Sequence, residues 1–256
     1  MSPAKSLDYE SPLPTRRKTE PRLLARSQEL IDLMITKTAP EIERLMSISP
    51  ALAELNHGRY RDWKLPRTSK LERPALLAFN GDVYTGLDAR ASFTPADFTR
   101  AQKTLRILSG LYGVLRPLDL MMPYRLEMGT RLSNARGRDL YDFWGNTITE
   151  LLAADLAESP GAKVLINLAS QEYFGAVRPS ALAAPIVSPV FVDAKGEGSA
   201  KIISFFAKRA RGVMAGWIIR ERISRIADLT SFDGSGYRYV ASRSTPERPV
   251  FERRQV

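Results

Sequence analysis

Residues 107–130, ILSGLYGVLRPLDLMMPYRLEMGT, restrict the fold more than any other stretch of the chain. Gly110 and Gly113 enclose a Leu-Tyr pair, and Pro117 and Pro123 break the apolar run that follows. Glycine lets a chain turn tightly and brings backbone N–H groups close to a ligand, because no side chain stands between them. Such a bend can cradle a phosphate, and Arg116 and Arg125 beside it suit the same partner, with Glu127 nearby. A helix C-cap followed by an ordinary loop also uses glycine and remains the alternative. Upstream, Thr94-Pro95-Ala96-Asp97 is a strong helix start: threonine caps, proline takes the first turn, and aspartate complements the dipole. Phe98, Ala101, Leu105 and Leu108 continue it as an apolar stripe. Pro117 could open a second helix, which Pro123 would stop within about two turns. The expectation is a helix-hairpin-helix-like element over about residues 94–122.

The remaining chain alternates helical and strand-like segments. Thr19 with Pro21, Thr38-Ala39-Pro40-Glu41 and Ser49-Pro50 each open a helix, the third ending near Gly58. Ala75–Phe79 and Val164–Leu168 are short apolar runs of buried-strand type. Both end in polar residues, Asn80-Gly81-Asp82 in one and Ser170-Gln171-Glu172-Tyr173, after Asn167, in the other. Open α/β sheets place ligands at such strand ends, although Asn-Gly also makes hairpin turns and serine also caps helices. Ile186–Val192 and Lys201–Phe206 are expected strands joined through residues 193–198, and a helix follows from Ala207 to about Asp228. On it Lys208 and Arg211 share a face, and Gly212 and Gly216 permit close packing. Tyr237–Ala241 is a further short strand. Together these segments predict a mixed α/β fold over residues 1–256, one domain with a mixed central sheet flanked by helices beside a basic cleft.

Charge and missing residue types narrow the chemistry. Lys and Arg number 38 against 28 Asp and Glu, a net charge of +10 that attracts polyanions. With no cysteine, disulfides, thiol nucleophiles and zinc–cysteine sites are excluded. A single histidine, His57, excludes His-cluster metal sites, and its helix-ending context suits capping. Neither a metal nor another cofactor is expected. The polar start and the lack of a membrane-length apolar run predict a cytoplasmic protein with no membrane role. Trp63, in the basic stretch 59–72, is expected to pack onto the body rather than stack on bases.

The segments SPAKSLDY, FNGDVYTGLDA, LSGLYGVLRPLDLMMPYRLEMGT, LYDFWGNTIT, LINLASQEYF and KIISFFAKRARGVMA closely resemble the YaaA family, in one order over nearly the whole chain. The resemblance implies a cytoplasmic protein of the peroxide-stress response that limits free iron. It also implies a mixed α/β fold with a basic cleft, and binding to double-stranded DNA without evident sequence preference. The family hairpin falls on Ser109, Gly110, Leu111, Tyr112, Gly113 and on to Arg116. The implied cleft residues are Lys5, Asn80, Asp82, Arg116, Arg125, Glu127, Asn167, Glu172, Lys208 and Arg211. Relatives carry a short hydrophobic strand ahead of the SPAK segment, whereas Met1 leads straight into it here, which leaves the position of Lys5 open. Backbone binding to DNA needs no carboxylates, so Asp82, Glu127 and Glu172 leave a second reading: an enzyme acting on a nucleotide or a modified base. Direct iron sequestration is disfavoured by the single histidine and the absence of thiols.

Overall fold

Thr94 caps its helix as its sequence dictates. Its Oγ accepts from the Asp97 N–H at 3.3 Å, and the Asp97 carboxylate accepts from the Thr94 N–H at 2.9 Å. A computed structural model describes residues 1–65, 71–195 and 200–255. In chain order these hold β1 (Ser6–Leu7), α1 (Leu24–Met34), α2 (Ala39–Met46), α3 (Pro50–Asp62), β2 (Arg73–Pro74), α4 (Ala75–Ala78) and β3 (Phe79–Asn80). Next come α5 (Asp82–Leu87), α6 (Ala89–Ser92), α7 (Pro95–Thr104), β4 (Ile107–Ser109), β5 (Gly113–Leu115) and β6 (Leu120–Met121). The second half contains α8 (Leu140–Trp144), α9 (Thr147–Glu158), β7 (Leu165–Ile166), α10 (Gln171–Phe174), β8 (Ile186–Val187), β9 (Val190–Lys195), α11 (Ser204–Arg220), β10 (Arg238–Tyr239) and β11 (Val250–Gln255).

The fold is mixed α/β, and its strands pair in several small sheets. Antiparallel pairs join β1 to β3, β2 to β6 and β4 to β5, whereas β7 and β8 are parallel. A three-stranded sheet runs β10-β11-β9, with β11 parallel to β9 from Val250↔Val190 to Gln255↔Lys195. The prolines explain part of this fragmentation. Ser188-Pro189 divides the expected strand 186–192 into β8 and β9, because proline supplies no ladder donor. One hydrophobic cluster nevertheless runs through these pieces, from Leu30 and Tyr60 through Tyr112 and Trp144 to Phe251.

Several local expectations are corrected. Ala75–Ala78 is one helical turn, and only Phe79 and Asn80 extend from it as a strand. Alanine and leucine favour helix, and four apolar residues carry no readable period. No second helix follows the 110–112 bend: Thr19 pairs with Asp119 at a β-bridge, and the chain passes through a turn into β6. The helix-hairpin-helix is thus a helix followed by a β-hairpin. Because Thr19 is bound to Asp119, it does not cap α1, which starts at Leu24. Gly58 does not end α3, which runs to Asp62 and holds His57 in its interior. Lys201 makes only a bridge to Asp193, and α11 takes over at Ser204 and ends at Arg220 rather than near Asp228. Of the expected 193–198 connection, residues 196–198 lie outside the described residues. Trp63 is buried and donates to the Tyr112 hydroxyl at 2.9 Å.

Helix α11 fixes the position of Lys208 and Arg211. Gly212 lies against the Val83 carbonyl and Gly86 against the Arg209 carbonyl, so closely that a Cβ at either position would overlap the facing backbone. No helix among the described residues is long and apolar enough to cross a membrane.

Candidate functional site

The first seven residues form a strap to which most of the expected site residues attach. The Met1 amine donates to the Arg106 carbonyl at 2.8 Å, and the Leu108 N–H donates to the Met1 carbonyl at 2.9 Å. Ser2 accepts at Oγ from the Ser170 N–H at 2.9 Å, and its carbonyl accepts from the Tyr84 hydroxyl at 3.0 Å. Ala4 packs on Gly81, and Ser6 pairs with Asn80. Residues 1–7 are therefore ordered against the body of the protein.

Lys5, Glu127 and Arg125 form an ion triad. Glu127 lies 3.2 Å from Lys5 Nζ and 2.7 Å from the Arg125 guanidinium. The Lys5 side chain is 66 % exposed and that of Arg125 only 15 %, so the lysine is the member that can exchange its partner for a ligand. The Arg125 carbonyl is also held, by the Tyr60 hydroxyl. Glu172 accepts from the Gly129 N–H at 3.0 Å, two residues after Glu127 in the chain. Burial, then the Glu172 and Glu127 charges, push the Tyr173 phenol well above its ordinary range. Burial does the same to Tyr84 and Tyr124. These phenols stay protonated near neutrality and act as hydrogen-bond donors, not bases.

Arg211, on α11, lies close enough to the Met1 amine for its charge to act on that group. Half-buried, it makes no ion pair with a described residue, and desolvation lowers its pKa. A cation in that situation lacks the counter-charge that normally offsets burial. Lys208, one turn earlier, is exposed and also without an ion-pair partner among the described residues. The Met1 amine is buried, and desolvation together with the Arg211 charge lowers its pKa to about 5. Asp82 opens α5 immediately after Gly81, so it borders the same strap. Asn167 is mainly structural: its Oδ1 accepts from the Ala169 N–H at 3.0 Å and its Nδ2 lies 3.4 Å from Ser188 Oγ.

The glycine bend is excluded from this surface. Ser109, Leu111 and Tyr112 have no exposed area, and Gly110 and Gly113 are buried with them. Gly110 lies against the Leu126 carbonyl, while Gly113, at φ +67°, packs on Trp144 and Leu23. The Tyr112 N–H already donates to Ser109 Oγ at 2.8 Å, and that hydroxyl shares a 2.6 Å hydrogen bond with Tyr124. The expected phosphate cradle is a hairpin tucked into the core, where glycine serves close packing. Arg116 is corrected with it. Its guanidinium holds the buried Asp119 at 2.9–3.0 Å and the Glu20 carbonyl at 3.0 Å, so it braces the fold.

Lys5, Asn80, Asp82, Arg125, Glu127, Glu172 and Arg211 thus gather along one strap, while residues 109–113 and Arg116 do not. Ser2 belongs to the same strap, with Tyr84 and Tyr173 buried behind it, and none of the three was a candidate site residue in the sequence. Tyr173 at least ends a polar segment after a strand, a pattern that could have marked it. Among the described residues, Lys208 and Arg211 have no ion-pair partner and Lys5 shares Glu127 with Arg125, which suits an anionic ligand. Comparison with protein families matches one described as peroxide stress protein YaaA over residues 1–243. The chain belongs to the peroxide stress protein YaaA family.

Proposed function

We propose that this member of a peroxide-stress family binds double-stranded DNA through backbone phosphates, without reading bases, at the strap surface that carries Lys5, Lys208 and Arg211. The half-buried Arg211, unpaired among the described residues, is the observation that supports this most directly, and the net charge of +10 supplies long-range attraction. The protein acts in the cytoplasm, and its effect on free iron is indirect, since a chain with one histidine and no cysteine is poorly equipped to hold ferrous ion. Fluorescence anisotropy on a duplex tests this. Affinity falls steeply between about 50 and 200 mM salt, and a Lys208→Ala/Arg211→Ala double variant lowers the slope of log K against log salt by about 2. Salt-independent binding, or an unchanged slope in the variant, defeats the proposal.

A second reading rests on Glu172 accepting from the Gly129 N–H, two residues from Glu127, with burial and both charges raising the Tyr173 phenol. Phosphate tracks have no use for carboxylates, whereas a pocket for a nucleotide or modified base does, and an enzyme acting on such a ligand would use them as acid–base groups. Thermal shifts with nucleoside monophosphates discriminate. A millimolar nucleotide that stabilises the protein, with the effect lost in Glu172→Gln, favours the pocket over the track.

A further inference from the structure

Exposed apolar side chains gather at the start of α11. Ile202, Ile203 and Phe205 all face solvent, Ile202 at 61 % exposure and Phe205 at 51 %. Single surface hydrophobics are ordinary, whereas a group of three so close together marks a contact surface. Residues three and four apart on a helix are neighbours, so Phe205 lies beside Lys208 and Arg209, one turn further on. Both cations are exposed and have no ion-pair partner among the described residues. The Phe205 ring is also supported from below. It packs on the Phe206 ring with centroids 5.4 Å apart and planes inclined at 68°. The Arg253 guanidinium lies 4.1 Å from the Phe206 centroid, and the buried Asp193 carboxylate accepts from that guanidinium at 2.7 Å. A braced aromatic ring open to solvent beside cations has the makings of a stacking platform.

A protein partner could cover the three apolar side chains, but it would also have to bring acidic groups within one turn of Phe205. A nucleotide supplies both in one unit, a flat apolar base with a phosphate on either side of it. In an intact duplex the bases stack on one another and are hidden from such a ring. We propose that the start of α11 binds single-stranded DNA, with a base stacked on Phe205 and the adjoining phosphates on Lys208 and Arg209. This rests on the phosphate-binding reading of α11, but not on the DNA being double-stranded. Every base has a flat face, so the strand binds without sequence preference. Stacking releases no counter-ions, so it adds affinity that salt does not remove.

Anisotropy with a fluorescein-tagged thymidine strand of about twelve residues tests the proposal on the full chain. Phe205→Ala weakens strand binding about tenfold, leaves the slope of log K against log salt unchanged, and keeps duplex affinity within about twofold of the parent. Phe205→Trp binds the strand at least as tightly as the parent, whereas Phe205→Leu, apolar but not flat, binds like Phe205→Ala. Melting curves of all three match the parent, because the side chain is exposed. Strand affinity that survives Phe205→Ala, equal binding by Phe205→Leu and the parent, or an equal loss on the duplex overturns the inference. So does a change of oligomeric state in sedimentation with strand affinity intact, which would make the patch a protein contact. Salt-dependent duplex binding without any strand binding removes this inference and spares the duplex proposal. Strand binding that depends on Phe205, without duplex binding, does the reverse. Should Phe205→Ala fold poorly, the comparison of Phe205→Leu with Phe205→Trp decides alone.

Discussion

Arg116 shows how a residue that looks like a ligand contact becomes a brace. Asp119 has no exposed area, and its carboxylate takes bonds from the Arg116 N–H, the Arg116 guanidinium and the Thr19 hydroxyl. Arg116→Ala therefore strands a buried charge, at a cost of about 3 kcal/mol. Urea unfolding measures that loss, while duplex affinity of the folded variant stays within about twofold of the parent. A second carboxylate gives the pH dependence. Burial pushes Asp155 up, but hydrogen bonds from Arg22 and Arg106 outweigh it and hold the folded group at about 2, against 3.8 unfolded. The stabilisation is complete above the unfolded value and is lost as pH falls through the folded one. Its size is on the order of 2 kcal/mol. Denaturation at stepped pH should show this loss between about pH 4 and 2, and Arg22→Ala should flatten it. A sequence lists arginines without saying which are already occupied by a buried aspartate. That is why Arg116 and Arg211 read alike in the chain and differ in the fold.

At the scale of elements, the α5–α11 contact sets where Arg211 stands. Gly212→Ala drives a methyl into the Val83 carbonyl, so the helices must separate, with a loss of about 3 kcal/mol by urea titration and weakened duplex binding. Gly58→Ala is the matched control. It sits within α3 with nothing inside 4 Å of the added methyl, and it gains about 0.5–1 kcal/mol. A destabilised Gly58→Ala would contradict the helical span of α3. The close packing permitted by Gly212 and Gly216 was legible in the chain, as were the Thr94 and Thr38 capping boxes, because spacing within four residues determines them. The strands were less legible. Ala75–Ala78 is too short for a period to separate helix from strand, and β11 reads as a charged tail because alternate residues of Glu252–Arg254 face solvent or Asp193. Its pairing with β9 spans 60 residues of sequence, as Val250↔Val190 shows, and no local pattern carries such a partner. The buried bend at residues 110–113 failed for the opposite reason. Glycine that approaches a ligand and glycine that approaches the Leu126 carbonyl leave the same trace in a sequence.

For the whole molecule, the question is whether so many small sheets melt separately. A two-stranded sheet of two residues per strand is not stable alone in water, so each must be held by what it packs on. That support is a single hydrophobic cluster reaching from the helices α1 and α3 through the β4–β5 hairpin to Phe191, Phe232 and Phe251. The strap joins three of these pieces, since Met1 bonds to Arg106 beside β4, Ser2 to Ser170 ahead of α10, and Ser6 pairs with Asn80 in β3. The three tryptophans sample it at distant places: Trp63 on Tyr112, Trp144 on the Gly110 carbonyl and Trp217 on Phe232. If residues 1–256 form one cooperative unit, far-UV circular dichroism and tryptophan emission report the same midpoint, and each single-tryptophan replacement by phenylalanine leaves the remaining signals coincident. Two separated transitions, with Trp217 in one and Trp63 in the other, would divide the chain between the β4–β5 hairpin and the β9–β11 sheet. Arg211 and Glu127 would then sit on units able to move apart, and the strap would act as a tether between them rather than as the floor of one site.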